Sequence, residues 1–140
     1  MTVVTPANCT CFNLRKAARA VTQAYDDAIR PSGLRATQFS LLATVAEVQP
    51  IGIKELAKDL VLDRTTLGRN LQVLVDRGLL EIGEGEDRRY RPISLTPSGQ
   101  QAFDLALPLW TQVQTRMAKG FGHDRWAGFL GDLGEAVRLA

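Results

Sequence analysis

The chain has 140 residues, of which 45% are hydrophobic and 23% charged, and its formal net charge is +2. This length supplies one hydrophobic core, or one and a half, and excludes two independent domains. The near-neutral charge excludes a broadly basic protein that coats nucleic acid without sequence preference.

No apolar run in the sequence reaches the length of a membrane span. The first residues also lack the basic stretch and continuous apolar run that mark a signal peptide. We therefore expect a cytoplasmic protein.

Two cysteines, Cys9 and Cys11, lie one residue apart near the start of the chain. A disulfide between them would close a strained ring, so an intersubunit disulfide or a shared soft metal or metalloid ion is chemically easier. With the nearby cations Arg15 and Lys16, the pair is a candidate redox or metal sensor. The alternative is a frayed, reduced N-terminus without a role.

The first predicted helix begins near Asn13 and ends at about Ile29. Its apolar residues form one stripe at helical spacing, consisting of Leu14, Ala17, Ala18, Val21, Ala24, Tyr25 and Ala28. The Pro and Gly residues within 31–33 end this helix, and a second helical segment follows across residues 36–42.

Residues 53–78 predict two consecutive helices separated by a turn. The first has an apolar stripe at i, i+3, i+4 and i+7, formed by Ile53, Leu56, Ala57 and Leu60. Asp63 is a favourable N-cap for the second helix. Gly78 is the expected stop of that helix, because glycine adopts positive φ without strain.

The second of these helices has an apolar face and a polar, cationic face. Its apolar face consists of Leu67, Leu71, Leu74 and Val75. The residues that point away are Thr65, Gly68, Arg69 and Gln72, with Arg64 and Thr66 on the flanks. Arginine can bond guanine in a DNA major groove, threonine can reach a phosphate or a thymine methyl, and glycine allows close approach. The alternative is the solvated face of any small helical domain.

A β-hairpin is predicted after these helices. Its strands lie at residues 79–82 and 88–95, and Pro92 suits an edge strand because it cannot donate to a ladder. Arg88 and Arg89 are candidates to enter a DNA minor groove or to neutralise flanking phosphates. The alternative is that Asp87 pairs with Arg89 only to hold the turn.

Two further helices complete the chain. Thr96 caps the first, Pro97 takes its first position, and the helix should bend at Pro108 and end near Lys119. The last helix carries an apolar stripe of Trp126, Phe129, Leu130, Leu133 and Val137. With the N-terminal helix, these present more apolar surface than a small module covers, which predicts a homodimer. The alternative is that they pack only on their own subunit.

The sequence offers little for catalysis. His123 is the only histidine, which excludes a histidine-rich metal site within one subunit, and its place at a helix start suits capping or exposure. There is no Gly-rich phosphate loop, Cys-x-x-Cys pair or carboxylate cluster with catalytic spacing. We expect no enzymatic activity and no cofactor.

Several of these segments resemble the multiple antibiotic resistance regulator (MarR) family of bacterial transcription factors. The segments that carry the resemblance are residues 53–57, 62–67, 75–80, 87–89 and 95–99, together with the helical pattern of 36–42. The resemblance covers nearly the whole chain, apart from about the first ten residues.

The resemblance implies a mainly α fold with a small β-wing, in a single domain of residues 1–140. A winged helix-turn-helix at residues 34–99 would bind double-stranded DNA, and helices at 12–30 and 97–140 would form the dimer that reads a pseudo-palindromic operator. The implied DNA-binding residues are Arg64, Thr65, Thr66, Arg69, Arg88 and Arg89. The candidate dimerisation residues are Phe12, Leu14, Trp110, Trp126, Phe129 and Leu133. Gly68 departs from the family, which often has a hydroxyl or a longer polar side chain there.

By resemblance, the function is that of a dimeric, sequence-specific regulator, a repressor released by a small-molecule or thiol-reactive signal. Family members often bind small aromatic or phenolic effectors in a crevice beside the winged module. Tyr25, Phe39 and Leu42 are candidates to line it, and the alternative is that they are ordinary core residues. The alternative function is a winged-helix protein-interaction module without specific DNA binding, although partner proteins are more often anchored by apolar or aromatic residues.

Overall fold

The computed structural model describes residues 5–85 and 90–140, and it confirms a mainly helical fold with a small β-wing. The α-helices of this part of the chain are α1 (Thr10–Ile29), α2 (Ala36–Val48), α3 (Ile53–Leu60), α4 (Arg64–Asp76), α5 (Pro97–Phe121) and α6 (His123–Leu139). The strands are β1 (Leu80–Ile82) and β2 (Ile93–Leu95). None of the helices in these two ranges is long and apolar enough to span a membrane.

Helix α1 starts three residues before its predicted beginning, because the sulfur of Cys9 serves as its N-cap. The backbone N–H of Phe12 donates to Cys9 Sγ at 3.4 Å. Asn13 reinforces this start, since its Nδ2 donates to the carbonyls of Pro6 at 3.0 Å, Ala7 at 3.2 Å and Cys9 at 2.9 Å. These bonds tie the short 3-10 helix Pro6–Asn8 to α1, so the cysteines lie in a capped helix start.

The core is centred on α2 and on the inner faces of α3 and α4. Its fully buried residues include Leu42 and Val45 of α2, Leu56 of α3, and Leu67 and Leu74 of α4. The apolar stripes predicted for α3 and α4 therefore pack as expected. Burial of such a stripe, at roughly 25 cal/mol per Å² of apolar area, stabilises helices that are too short to form alone.

The wing is an antiparallel pair in which Leu80 faces Leu95 and Ile82 faces Ile93. As predicted, the wing is a two-stranded sheet, and one isolated bridge also joins Ile93 of β2 to Ile51. The N–H of Ile93 donates to the carbonyl of Ile51 at 2.8 Å, and the Ile51 N–H donates back at 3.3 Å. Pro92 has no N–H to donate, and its carbonyl accepts from Gly83 N at 2.8 Å.

Helix α5 connects the wing to the last helix. Thr96 caps it as predicted, with Oγ1 accepting from Gly99 N at 2.9 Å. A Cβ at Gly99 would lie 1.9 Å from the Leu79 carbonyl oxygen, so only glycine lets α5 begin against the wing. The helix continues past Pro108 to Phe121, two residues beyond its predicted end, and the bend at Pro108 stays a prediction.

Helices α1 and α6 leave much of their surface open in a single chain. Every residue of α1 from 10 to 23 is exposed, and α6 has no buried residue. Large apolar side chains are among the exposed ones, including Phe12 at 44%, Leu14 at 39% and Leu130 at 44%. These two helices therefore present apolar surface that their own subunit does not cover.

Candidate nucleic-acid interface

The start of α4 is fixed by Asp63, as the sequence predicts. Its Oδ1 accepts from the Thr66 backbone N–H at 2.8 Å, and its Oδ2 accepts from the Thr66 hydroxyl at 2.8 Å. The two Thr66 hydrogen bonds favour the carboxylate and hold the pKa of Asp63 below its ordinary value of 3.8. The hydroxyl of Thr66 is therefore engaged by the cap, although its oxygen can still accept.

The exposed face of α4 carries the predicted DNA-binding residues of this helix. Arg64, Thr65, Thr66 and Arg69 are all exposed, while Leu67, Leu71 and Leu74 are buried on the opposite side. The ion pairs of residues 5–85 and 90–140 do not include Arg64 or Arg69. Gln72 on the same face donates to Asp76 at 2.8 Å. This surface offers two guanidinium groups without ion-pair partners in the described chain.

The wing contributes less to what the structure shows. Arg88 and Arg89 lie outside the described residues, as does Asp87, so their predicted roles stay predictions. The neighbouring Tyr90 is 42% exposed, and its ring lies over Gly52, where a Cβ would come within 2.8 Å of the ring. Tyr90 thus anchors the returning wing segment close to the start of α3.

Arg77, at the end of α4, holds this helix against the start of α2. Its guanidinium donates to the Gly33 carbonyl at 3.2 Å and to Gln38 Oε1 at 3.4 Å. Gln38 Oε1 also accepts from Arg35 N at 3.0 Å, at the beginning of α2. No periodic pattern in the sequence predicts this clamp, because Arg77 and Gly33 lie 44 residues apart.

A cleft of about 270 Å³ lies between α1, α2 and α5. The predicted effector residues Tyr25 and Phe39 both line it, together with Val21, Thr22, Ile29, Ala36, Ser40, Trp110 and Gln114. Leu42 does not line this cleft and is fully buried in the core. The Tyr25 hydroxyl donates to Gln114 Oε1, and partial burial raises the pKa of Tyr25. The cleft therefore joins aromatic surface to a polar pair.

The candidate dimerisation residues fall into two groups. Phe12 and Leu14 are exposed on α1, and Trp126, Phe129 and Leu133 are half-buried on α6. Trp110 differs, since its ring stacks on Phe39 with centroids 5.9 Å apart and packs against the core of its own subunit. Trp110 is thus a core contact, whereas the Phe129 ring stacks on Phe121 at the junction of α5 and α6, with centroids 5.0 Å apart.

The remaining candidates are the two thiols and the histidine. Cys9 is half-buried and Cys11 is exposed, and neither is in a disulfide. His123 is exposed at the first position of α6. Within residues 5–85 and 90–140, no group of three or more His, Cys, Asp or Glu side chains could hold a metal ion. A metal bound by the two thiols would need further ligands from elsewhere.

An Asp63-capped helix with an exposed cationic face, preceded by α3 and followed by a β-wing, defines a winged helix-turn-helix protein. Residues 32–89 match the model of the MarR family. The chain is 37% identical to the transcriptional regulator MosR of M. tuberculosis, with a TM-score of 0.82 and with 97% of this chain and 100% of that chain covered. The structure of MosR in complex with DNA matches at 41% identity and a TM-score of 0.79, covering 94% of this chain and 99% of that chain.

A sequence relative gives the same result. The HTH-type transcriptional regulator SarZ of Staphylococcus haemolyticus is 31% identical over 94 residues, which are 66% of this chain and 64% of SarZ. The aligned parts span 66% and 64% of the two curated regulators matched by sequence, slightly under two thirds of their length. The chain belongs to the MarR family of transcriptional regulators.

Proposed function

We propose that this protein is a homodimeric repressor that binds a pseudo-palindromic operator in double-stranded DNA and acts in the cytoplasm. The observation that carries the proposal is the exposed face of α4, where Arg64 and Arg69 have no ion-pair partner in the described chain. The likeness to MosR, whose structure was solved with DNA, supports it at 41% identity.

In this proposal α4 enters the major groove. Arg69, at the exposed side of the helix, bonds base edges, and Arg64, Thr65 and Thr66 bond bases or phosphates near its N-terminus. Arg88 and Arg89 of the wing reach the adjacent minor groove or its flanking phosphates. Because the Thr66 hydroxyl already donates to Asp63, it either accepts a hydrogen bond from a base or makes no hydrogen bond to DNA.

The dimer provides the second recognition helix. Residues 34–99 form the winged module, and the helices at 12–30 and 97–140 pair with those of a second copy. Phe12 and Leu14 of α1 and Trp126, Phe129 and Leu133 of α6 supply apolar contact area. A two-fold dimer then places its two α4 helices about one DNA turn apart, roughly 34 Å, which matches a palindromic site.

A small aromatic or phenolic effector is proposed to bind the cleft between α1, α2 and α5. Tyr25, Phe39 and Trp110 provide aromatic walls, and the Tyr25–Gln114 pair provides polar groups. The dimer can adopt a state in which the spacing of its two α4 helices does not match the operator half-sites. A ligand that binds this state more tightly increases its population and so releases the DNA. We do not retain Leu42 as an effector residue, because the core encloses it completely.

Binding to DNA is tested with Arg69→Ala, because Arg69 is exposed and makes no described ion pair. We expect Arg69→Ala to weaken binding to the DNA upstream of the gene that encodes this protein. The dissociation constant measured by fluorescence anisotropy should rise by about 10- to 100-fold. Arg138→Ala is the control for the loss of one exposed cation, and because it also removes the Arg138–Glu135 ion pair on α6, sedimentation checks that this variant is still a dimer. Its affinity should stay within about twofold at the same salt concentration.

The same titrations separate this function from a protein-interaction module. A specific regulator binds its upstream region more tightly than a random duplex of equal length, and the difference persists as salt rises. Equal affinity for the two duplexes would contradict the proposal and favour the interaction module.

The two thiols are proposed as a second signal input, because Cys9 holds the start of α1 through its sulfur. Oxidation of two thiols to a disulfide releases two protons and two electrons, which a hydroperoxide accepts on reduction to an alcohol and water. Loss of the cap then loosens the first turn of α1, which carries Phe12. The disulfide partner is the thiol pair of the second subunit, and a soft metal ion is the competing signal.

A double variant, Cys9→Ser with Cys11→Ser, tests the thiol proposal. Serine is itself a good N-cap, so the variant keeps the start of α1 while it removes the sulfur chemistry. We expect cumene hydroperoxide to lower the DNA affinity of the native protein at least tenfold and to leave the double variant unchanged. Identical responses of the two proteins to the peroxide and to Zn²⁺ end the sensor hypothesis.

A further inference from the structure

Gly68 lies in the middle of α4 and has no packing role in the described subunit. Apart from its chain neighbours and the backbone of its own helix, no heavy atom of the described chain lies within 4 Å of a Cβ built there, and the residue is half-exposed. Glycine is among the least favourable residues in a helix interior, since it loses most backbone freedom on folding. Gly99 shows the contrasting case, where a close neighbour requires glycine. Packing within the subunit therefore does not explain why glycine occupies position 68.

The missing side chain leaves an open, shallow depression on the surface of α4, which we call the slot, with no side-chain atom of the described chain, apart from those of its chain neighbours, within 4 Å of the Cβ position. Residues one turn away on this helix are Arg64 and Thr65 on the N-terminal side and Gln72 on the C-terminal side. The backbone N–H and carbonyl groups within an α-helix bond to each other, so the floor of the slot offers no free donor or acceptor. The slot is apolar at its floor and polar at its edges.

Only one apolar group in the major groove projects toward a docked helix, and that is the 5-methyl group of thymine. We propose that Gly68 receives this methyl group and thereby selects a T·A base pair at one position of each operator half-site. The inference rests on the proposed function, because it requires α4 to enter the major groove. It gives Gly68 a specificity role of its own beside those of Arg64, Thr65 and Arg69.

The neighbouring residues fix how the slot meets DNA. Arg64 and Arg69 bond groups that lie on either side of it, and Asp63 fixes the first turn through Thr66. A methyl group added at position 68 fills the slot and holds the helix farther from the groove floor. Gly68→Ala should therefore lose both the close fit and the preference for thymine.

The test uses a duplex selected by the native protein from a randomised pool. Each thymine of the selected half-site is replaced in turn by uracil, which lacks only the 5-methyl group. We expect one replacement per half-site to weaken native binding by about fourfold, the effect of one buried methyl group. Gly68→Ala should bind the thymine duplex more weakly than the native protein does. It should bind the uracil duplex as tightly as it binds the thymine duplex.

Asn70→Ala is the control in the same helix. Asn70 is exposed and lines a different cleft, beside Arg35 and Val73, so its replacement also favours helix formation but leaves the slot open. This variant should keep the fourfold preference for thymine.

The outcomes separate this inference from the function on which it rests. If the native protein enriches no sequence from the pool, the proposed function fails. If it enriches a sequence but binds every uracil duplex as tightly as the thymine duplex, only the methyl slot is overturned. Retention of the thymine preference by Gly68→Ala also overturns the slot.

Discussion

Asp63 links the fold of the recognition helix to pH through two hydrogen bonds with Thr66. These bonds favour the ionised carboxylate, so the pKa of Asp63 in the folded protein is below its ordinary value of 3.8. The resulting stability is present above the unfolded pKa, at about pH 4. It is lost as the pH falls through the lower, folded pKa.

Replacing Asp63 separates its capping bond from its charge. Asp63→Ala should lower the melting temperature by a few degrees at pH 7, because an N–H group of α4 loses its acceptor. Asp63→Asn should melt nearer to the native protein, and it should lack the part of the native loss of stability below about pH 4 that protonation of Asp63 causes. Thermal melts at several pH values measure both effects, and a native pH profile shared by Asp63→Asn would exclude Asp63 as the titrating group.

Residues differ in how well the sequence predicts their structural roles. Asp63 was predicted as the cap and Gly78 as the stop, and the structure confirms both, with a φ of 73° at Gly78. Such signals are local, since the residue and its partner lie within one turn. The Tyr25–Gln114 bond and the Arg77 clamp join residues 89 and 44 positions apart, and only the folded chain brings them together.

The turn between α3 and α4 contains a strained residue. Val61 caps α3 in the left-handed conformation, with φ 54° and ψ 44°, and its side chain is 71% exposed. A β-branched side chain in this region clashes with its own backbone, and burial does not offset that cost here. The left-handed conformation of Val61 therefore lowers the stability of the turn between α3 and α4.

Relieving this strain should stabilise the protein. Val61→Gly is expected to raise the free energy of unfolding by about 1 kcal/mol, measured in urea. Val48→Gly is the matched control, because Val48 is 41% exposed but belongs to helix α2, where glycine brings only its entropic cost. That control should lose stability, and a loss in both variants would show that Val61 is not strained.

Element boundaries follow the residues that cap them. The apolar periodicity predicted α3, α4 and α5 because each buries one stripe. It placed the start of α1 too late, since cysteine is an unusual N-cap and the stripe of α1 begins at Leu14. It also made the second strand too long, since residues 90–92 are not part of β2. The pairing of Ile93 with Ile51 depends on a loop between α2 and α3 that has no periodic pattern.

The quaternary structure depends on surfaces that a single chain leaves open. Leu130 on α6 is 44% exposed, and Val48 on α2 is 41% exposed. The proposed dimer covers the α6 surface, whereas Val48 lies outside the pairing helices at 12–30 and 97–140. Leu130→Asp should therefore sediment as a monomer at micromolar concentration and bind the operator at least tenfold more weakly, because burial of a carboxylate at an interface is costly.

Val48→Asp is the control for this change, since it places the same charge on a similarly exposed apolar position of a helix outside the proposed interface. It should remain a dimer with native DNA affinity. Sedimentation of the native protein as a monomer at the same concentration would contradict the dimer itself. Circular dichroism of both variants checks that the helices are retained.

Helix α5 acts as a lever arm in such a dimer. Its 25 residues extend for about 37 Å at roughly 1.5 Å per residue. One end rests on the Leu79 carbonyl beside the wing, and the other adjoins α6. A tilt of about 10° at the α6 end sweeps the wing end through an arc of about 6 Å, close to two base-pair steps. Small displacements at the base of this arm are therefore enough to take the two modules out of phase with the turns of the DNA.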